Sequence, residues 1–181
     1  TGEGREEMIQ PTFTSSRILL PVRPGFIWFS LTLGLLLNFL PTAHWPGVPD
    51  WVALVLTFWC IRESRYVGMG WAFALGLCMD VADGAVLGQH AFAYVLLAYT
   101  ATRQARRILW FPLAQQAIQV LPMLVAAQVI QLVLRLLAGA EFPGWSFLLG
   151  PALATLLWIP LTYLLLLPQY QPLEHDANRP L

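Results

Sequence analysis

The chain has 181 residues, of which 57% are hydrophobic and 11% are charged, and its mean hydropathy is +0.62. Soluble domains carry about a quarter charged residues, so this composition excludes an ordinary water-soluble domain and indicates an integral membrane protein. Ten basic and ten acidic residues balance to a formal net charge of zero, and we predict no nucleic-acid partner.

The first residues divide into a tail and an arm. Residues 1–7, TGEGREE, precede Met8, and we expect them to be a vector-derived tail. Residues 8–25 contain three prolines and lack the layout of a secretory signal. We therefore expect residues 8–25 to form a short N-terminal arm.

Six apolar segments follow and are predicted to form a single all-α membrane domain at residues 26–168. We predict helices at about residues 26–43, 48–61, 66–80, 90–102, 113–138 and 146–167. The first, fifth and sixth approach the roughly 20 residues that cross a bilayer. The second and third are shorter, so we expect them to extend through residues 62–65 or to lie where the bilayer is thinned. A four-span arrangement is the alternative.

Arginine placement predicts the orientation of these helices. In a six-span arrangement one side carries Arg17, Arg23, Arg62, Arg65, Arg103, Arg106, Arg107 and Arg179. The loops on the other side carry Asp50, Asp80, Asp83 and Glu141. Because cytoplasmic loops are enriched in basic residues, we predict cytoplasmic termini, with residues 169–181 as a cytoplasmic tail. Only Arg135 departs from this pattern.

Small residues recur at every fourth position along the third segment and lead to an aspartate: Gly68, Ala72, Gly76 and Asp80. Such a face lets a second helix backbone approach closely in lipid. The same spacing continues through Gly84 and Gly88, but the glycines and aspartates predict that the helix breaks around residues 80–88.

Non-helical backbone at membrane depth needs polar partners, so we predict a packed elbow at this break. Asp80 is expected to accept backbone N–H groups or a polar partner, and Asp83 to cap the next turn. The alternative places both aspartates in water at the membrane surface.

Two other segments carry polar stripes. Gln128, Gln131 and Arg135 share one face of the fifth segment, and Ser30, Gly34 and Asn38 form a small and polar stripe on the first. One interpretation is a seam inside the bundle, with Arg135 reaching the lipid headgroups. The other is a surface for a partner helix or a polar cavity.

No catalytic, cofactor or metal site is predicted. Cys60 and Cys78 lie in apolar runs without a CxxC spacing, and His44, His90 and His175 have no cysteine or paired acid at a ligand spacing. The sequence also lacks GxSxG, HExxH and a phosphate-binding glycine loop. These absences favour a binding or structural protein over an enzyme.

The segment GLCMDVADGAVLGQHAF, residues 76–92, resembles the signature of the rod shape-determining protein MreD family. The signature has a glycine, an aspartate four residues later, two further glycines and a small-plus-apolar pair. These correspond to Gly76, Asp80, Gly84, Gly88 and the pair Ala91 and Phe92. Size, six spans and short loops extend the resemblance over residues 8–170.

The resemblance implies a non-enzymatic, multi-pass subunit of the bacterial inner membrane that binds MreC, a single-span protein. Through MreC it would act with a penicillin-binding transpeptidase and a membrane glycosyltransferase in lateral peptidoglycan synthesis. It also implies a fold similar to the substrate-binding component of energy-coupling vitamin transporters. The alternative function is therefore a solute-binding component of a vitamin importer, with Asp80, Gln128, Gln131 and Arg135 converging on one pocket. Self-association is left open.

Overall fold

The computed structural model describes residues 22–40 and 47–169, and within these ranges it contains six α-helices and no strand. The predictions for residues 1–21, for His44 and Trp45 and for the tail after residue 169 lie outside the described residues. The helices are α1 Pro24–Asn38, α2 Trp51–Arg62, α3 Met69–Ala82, α4 Gln89–Leu109, α5 Leu113–Leu137 and α6 Leu149–Leu166. A 3-10 turn, Trp145–Leu148, leads into α6, and another, Leu167–Gln169, follows it.

Helix α4 differs most from its predicted bounds, because it continues seven residues past residue 102 to Leu109. The added sequence, RQARRIL, is rich in good helix formers. Arg106 and Arg107 lie in its last turn, where positive charge interacts favourably with the helix dipole. The arginine cluster thus lies on a helix and not in a loop.

Helix α2 is buried on all sides: every residue from Val52 to Ile61 is inaccessible or nearly so. It contacts α1, α4, α5 and α6, and a helix that is apolar all round belongs in such a core. The expected extension through residues 62–65 was wrong, since α2 ends at Arg62 with Glu63 as its C-cap. A helix enclosed by protein has no lipid thickness to match.

Three contacts between consecutive helices define the two ends of the bundle. Asn38 bonds to Trp51, Asp80 bonds to His90, and Gln128 bonds to Phe147 just before α6. Helices α1 and α3 therefore finish, and α2, α4 and α6 begin, at one end, which we call the polar end. The opposite end, where α2 and α4 finish and α5 begins, is called the basic end.

Charge is segregated between these ends. In the described ranges the basic end carries the arginines Arg23, Arg62, Arg65, Arg103, Arg106 and Arg107. The polar end carries the acids Asp50, Asp80, Asp83 and Glu141. The exceptions are Glu63 at the basic end and Arg135 at the polar end.

The exterior of the bundle is strongly apolar. Side chains such as Phe29, Ile118 and Leu156 are more than 60% exposed, and an apolar surface of this extent is typical of contact with lipid. Among the described residues, two stretches are long and apolar enough to cross a membrane, Leu113–Leu137 and Trp145–Gln169. Helices α1, α2 and α3 are shorter apolar helices.

Two fully buried tryptophans, Trp59 and Trp158, differ in the hydrogen bonding of their indole N–H groups. The indole Nε1 of Trp59 donates to the hydroxyl of Ser30 at 2.8 Å, whereas the buried Nε1 of Trp158 has no acceptor among the described residues. Both rings lie against Phe58.

Replacing Trp59 by phenylalanine should therefore lower stability more than the same change at Trp158. Both changes remove the same atoms from a buried site, but only Trp59→Phe loses a hydrogen bond, which is worth about 1 kcal/mol. Thermal unfolding of the purified protein in a mild detergent measures the difference. Equal decreases in Tm would show that the bond to Ser30 contributes nothing.

Candidate functional site

Asp80, in the last turn of α3, is buried, with 1% of its surface exposed. Its carboxylate accepts the backbone N–H groups of Gly88 at 2.8 Å and His90 at 2.7 Å, and makes a longer contact of 3.4 Å with that of Ala91. These groups belong to the first turn of α4, where backbone N–H groups have no partner within the helix. Asp80 therefore caps α4 from a neighbouring helix, and both its burial and its backbone donors agree with the prediction.

Asp83 is the C-cap residue of α3, and its Oδ2 lies 3.7 Å from Nε2 of His90 in the first turn of α4. Its predicted role in capping the next turn stays a prediction. Gly84 and Gly88 adopt φ values of 59° and 99°, conformations that glycine adopts without strain. These two glycines allow the chain to reverse direction, so that the first residues of α4 contact Asp80. Asp80 lies about one helical turn before Asp83.

His90 lies between two carboxylates, a position that sequence reasoning missed. Its Nδ1 is 3.0 Å from Oδ1 of Asp80, and its Nε2 is 3.7 Å from Oδ2 of Asp83. The spacing of Asp80, Asp83 and His90 across the elbow follows no helical repeat, so no periodic pattern in the sequence indicates that they meet. In the described ranges no group of three His, Cys, Asp or Glu side chains is arranged to hold a metal ion.

Gly76 lets the backbones of α3 and α4 touch. A Cβ atom built on it would lie 2.8 Å from the carbonyl carbon of His90 and closer still to Ala91. Ala72 is buried on the same face, whereas Gly68 is the half-buried N-cap residue of α3. Gly76 therefore packs α3 on α4, and it and Ala72 are not free for a partner helix, whereas nothing lies within 4 Å of a Cβ built on Gly68.

Asp50 joins three helices at the polar end. Its Oδ1 accepts the N–H of Ala53 at 3.0 Å, which caps α2, and the amide of Asn38 at 2.8 Å, while Oδ2 accepts the hydroxyl of Tyr94 at 2.6 Å. Sequence reasoning assigned Asp50 only to a loop. An aspartate directly before an apolar run is a recognisable N-cap signal, but nothing in the sequence marked Tyr94.

The stripe on α1 is also internal. Ser30 accepts the indole of Trp59, and Asn38 accepts the N–H of Trp51 at 2.9 Å. Gly34 faces the backbone of Trp51, whose carbonyl oxygen would lie 3.4 Å from an added Cβ. The three residues form the α1–α2 interface, so of the two interpretations the seam inside the bundle is correct here.

The polar end encloses a cavity of about 680 Å³, which we call the polar cavity. Its polar walls are formed by Asn38, Asp50, Asp83, Gln89, His90, Gln128, Gln131 and Arg135. The volume lies within the range of natural binding pockets, roughly 300–1,000 Å³. The stripe on α5 thus lines a cavity, whereas Asp80 does not line it and is occupied by the start of α4.

Two glutamines that line this cavity have carboxamides available for binding. Gln89 and Gln131 are 9% and 7% exposed as whole residues, and both line the cavity. Neither side chain makes a hydrogen bond within the part of the chain that the structure describes, whereas the amide of Gln128 donates to the carbonyl oxygen of Phe147 at 2.6 Å. The carboxamides of Gln89 and Gln131 can therefore donate to and accept from a group that enters the cavity.

A shallow apolar groove of about 410 Å³, which we call the outer groove, lies at the ends of α1 and α3. It is lined by Phe39, Leu77, Cys78, Val81 and Ala82. The groove adjoins the polar cavity along the chain, since Asn38 and Met79 line the cavity while their chain neighbours Phe39 and Cys78 line the groove. Cys78 is exposed there, whereas Cys60 is buried.

Comparison with known proteins gives a consistent result. The profile of the family described as rod shape-determining protein MreD matches residues 16–167. A rod shape-determining protein MreD from Haemophilus influenzae is 33% identical over 149 residues, which cover 77% of this chain and 89% of that protein. No solved structure matches the chain.

The contact at Gly76 predicts that Gly76→Ala destabilises the protein although alanine is the better helix former. Its new Cβ would collide with α4 backbone, and overpacking of this kind typically costs about 1–3 kcal/mol. Gly70→Ala, on the same helix, is the matched control: nothing lies within 4 Å of its added Cβ, so it should be neutral or slightly stabilising. Thermal unfolding in detergent compares the two, and a stable Gly76→Ala protein would contradict the close approach.

The capping of α4 predicts that Asp80→Asn lowers stability by about 2 kcal/mol, because the amide NH₂ would face backbone N–H groups. Asp83→Asn should cost less, since that carboxylate is partly exposed. The Tm of each variant and the protease sensitivity of the elbow measure this. If the two variants lose equal stability, Asp80 has no special role at the elbow.

Proposed function

This chain belongs to the rod shape-determining protein MreD family, and we propose that it is a non-enzymatic subunit of the bacterial cell-elongation complex. Membership of this family means that the chain is a membrane protein with a role in determining rod shape. We propose that it fulfils this role by binding MreC. Through MreC it supports lateral peptidoglycan synthesis by a penicillin-binding transpeptidase and a membrane glycosyltransferase.

We further propose that all six helices cross the inner membrane, with both termini in the cytoplasm. The segregation of charge supports this, because the basic end then faces the cytoplasm. Trp110 and Trp145 are 89% and 80% exposed and lie at opposite ends of the bundle, as expected of aromatic anchors at the two interfaces. The similarity to the substrate-binding component of energy-coupling vitamin transporters stays a prediction, since no solved structure matches the chain.

Small residues that pack helices against each other inside the bundle are not available to a partner helix, so fewer surfaces remain for a partner. Faces of small residues are the usual contact surfaces between helices in lipid, but here Gly34 on α1 already contacts α2 and Gly76 on α3 already contacts α4. Two surfaces at the polar end are accessible to a partner: the outer groove and the polar cavity. The unpartnered Gln89 and Gln131 are the observation that carries the proposal.

In the proposed complex the single span of MreC packs along the outer groove. Lipid offers no hydrophobic drive for helix association, so affinity there depends on close van der Waals contact. The residues of MreC next to its span reach the polar cavity, where the carboxamides of Gln89 and Gln131 donate and accept hydrogen bonds. The groove supplies the contact area and the cavity fixes the position of MreC along it.

Cys78 offers a direct test, because it is exposed in the outer groove while Cys60 is buried. Single cysteines placed along the span of MreC should form disulfides with Cys78 at one depth only, at one position or at two positions three or four residues apart, because a disulfide needs Cβ atoms about 4 Å apart. The control is a Cys78→Ser protein carrying Leu156→Cys on α6, a residue 71% exposed. Equal yields from positions 78 and 156, or none from Cys78, would overturn the groove assignment.

The yield of the disulfide between Cys78 and MreC also measures whether the polar cavity contributes to binding MreC. Gln131→Leu removes a carboxamide without a large change in volume, and it should lower retention of MreC about tenfold, the effect of one lost hydrogen bond to a buried group. Gln115→Leu, an exposed position near the other end of α5, should leave retention unchanged. If Gln131→Leu retains MreC like the wild type, the cavity has no part in binding it.

A further inference from the structure

The last turns of α4 present three arginines on one face. Arg103, Arg106 and Arg107 are spaced i, i+3 and i+4, so they lie side by side on the helix surface, and all three are exposed. We call them the α4 basic face. The guanidinium of Arg103 lies 5.6 Å from the ring centre of Tyr99, and its Nε donates to the tyrosine hydroxyl at 3.3 Å, which holds this side chain along the helix.

No carboxylate neutralises this face within the described residues. Arg103, Arg106 and Arg107 make no ion pair there. Among the described residues, the other charged side chains at the basic end are Arg23, Arg62, Arg65 and Glu63. The described part of the basic end therefore carries a net positive charge, which attracts an anionic partner.

The surroundings of the arginines are apolar. Leu109, Trp110 and Phe111 follow directly along the chain and are 40%, 89% and 37% exposed. An acidic soluble protein bound at this place would leave these side chains in water or would need its own apolar surface to cover them. A lipid supplies both an anionic headgroup for the arginines and acyl chains for the hydrophobic side chains.

We propose that the α4 basic face binds the headgroups of anionic phospholipids. This inference goes beyond the binding of MreC and does not depend on it, because it concerns the opposite end of the bundle. Each arginine near an anionic lipid surface contributes about a fivefold gain in affinity. Removal of all three charges is therefore expected to weaken lipid binding on the order of a hundredfold.

Native mass spectrometry of the full chain in a non-ionic detergent, titrated with phosphatidylglycerol or phosphatidylcholine, tests the proposal. The wild type should retain phosphatidylglycerol in preference to phosphatidylcholine, and R103Q/R106Q/R107Q should lose that preference. R103K/R106K/R107K keeps the charges and should preserve most of it. R135Q, at the polar end, is the control for loss of an arginine elsewhere and should bind phosphatidylglycerol like the wild type.

Three results would overturn the proposal: equal retention of both lipids by the wild type, an undiminished preference in the glutamine variant, or an equal loss in R135Q. If the wild type shows no lipid preference but the glutamine variant fails to support rod shape in cells, the face serves an acidic protein partner instead. Unfolding of the variants in detergent without lipid verifies that each is folded, and the lysine variant decides the question if the glutamine variant does not fold.

Discussion

The buried carboxylate of Asp80 is the constraint on which the polar end of this protein depends. A buried charge is stable only when hydrogen bonds replace its water, and here the first turn of α4 supplies them. The same bonds satisfy helix N–H groups that would otherwise be unpaired. One interaction thus fixes where α3 ends and where α4 begins, and the two helices can meet closely only because residue 76 is a glycine.

The positions of both proposed binding surfaces follow from this elbow. By returning the chain onto α3, it places Gln89 and His90 at the polar cavity, while the other side of α3 presents Cys78 and Val81 to the outer groove. Asp50 performs a comparable task for α1, α2 and α4. Acidic residues at the polar end therefore hold helix ends together, which supports a family role in assembly.

Residues of similar type serve opposite purposes in this bundle. Ser30, Gly34 and Asn38 on α1 and Ala72 and Gly76 on α3 are buried in the bundle, whereas Gln131 on α5 lines the polar cavity. Arg103, Arg106 and Arg107 at the basic end are exposed and make no ion pair among the described residues, whereas the carboxylates of Asp50 and Asp80 at the polar end are hydrogen-bonded within the protein. Exposed apolar side chains between the two ends complete a surface suited to lipid.

The sequence by itself determined the helical class, the number of helices, the segregation of charge and the face of α3 that packs closely, because hydropathy, arginine placement and four-residue spacing are local patterns. It also identified Asp80 as a buried acceptor, since a charge beside a glycine stripe needs donors. Only the tertiary structure decided that Gly76 and the stripe on α1 face inward, that α2 is enclosed, and that the carboxylate of Asp80 caps α4. It alone brought His90, Tyr94 and Asp50 into contact with distant partners, because the positive φ angles at Gly84 and Gly88 and the packing of α4 on α2 join residues that share no periodicity.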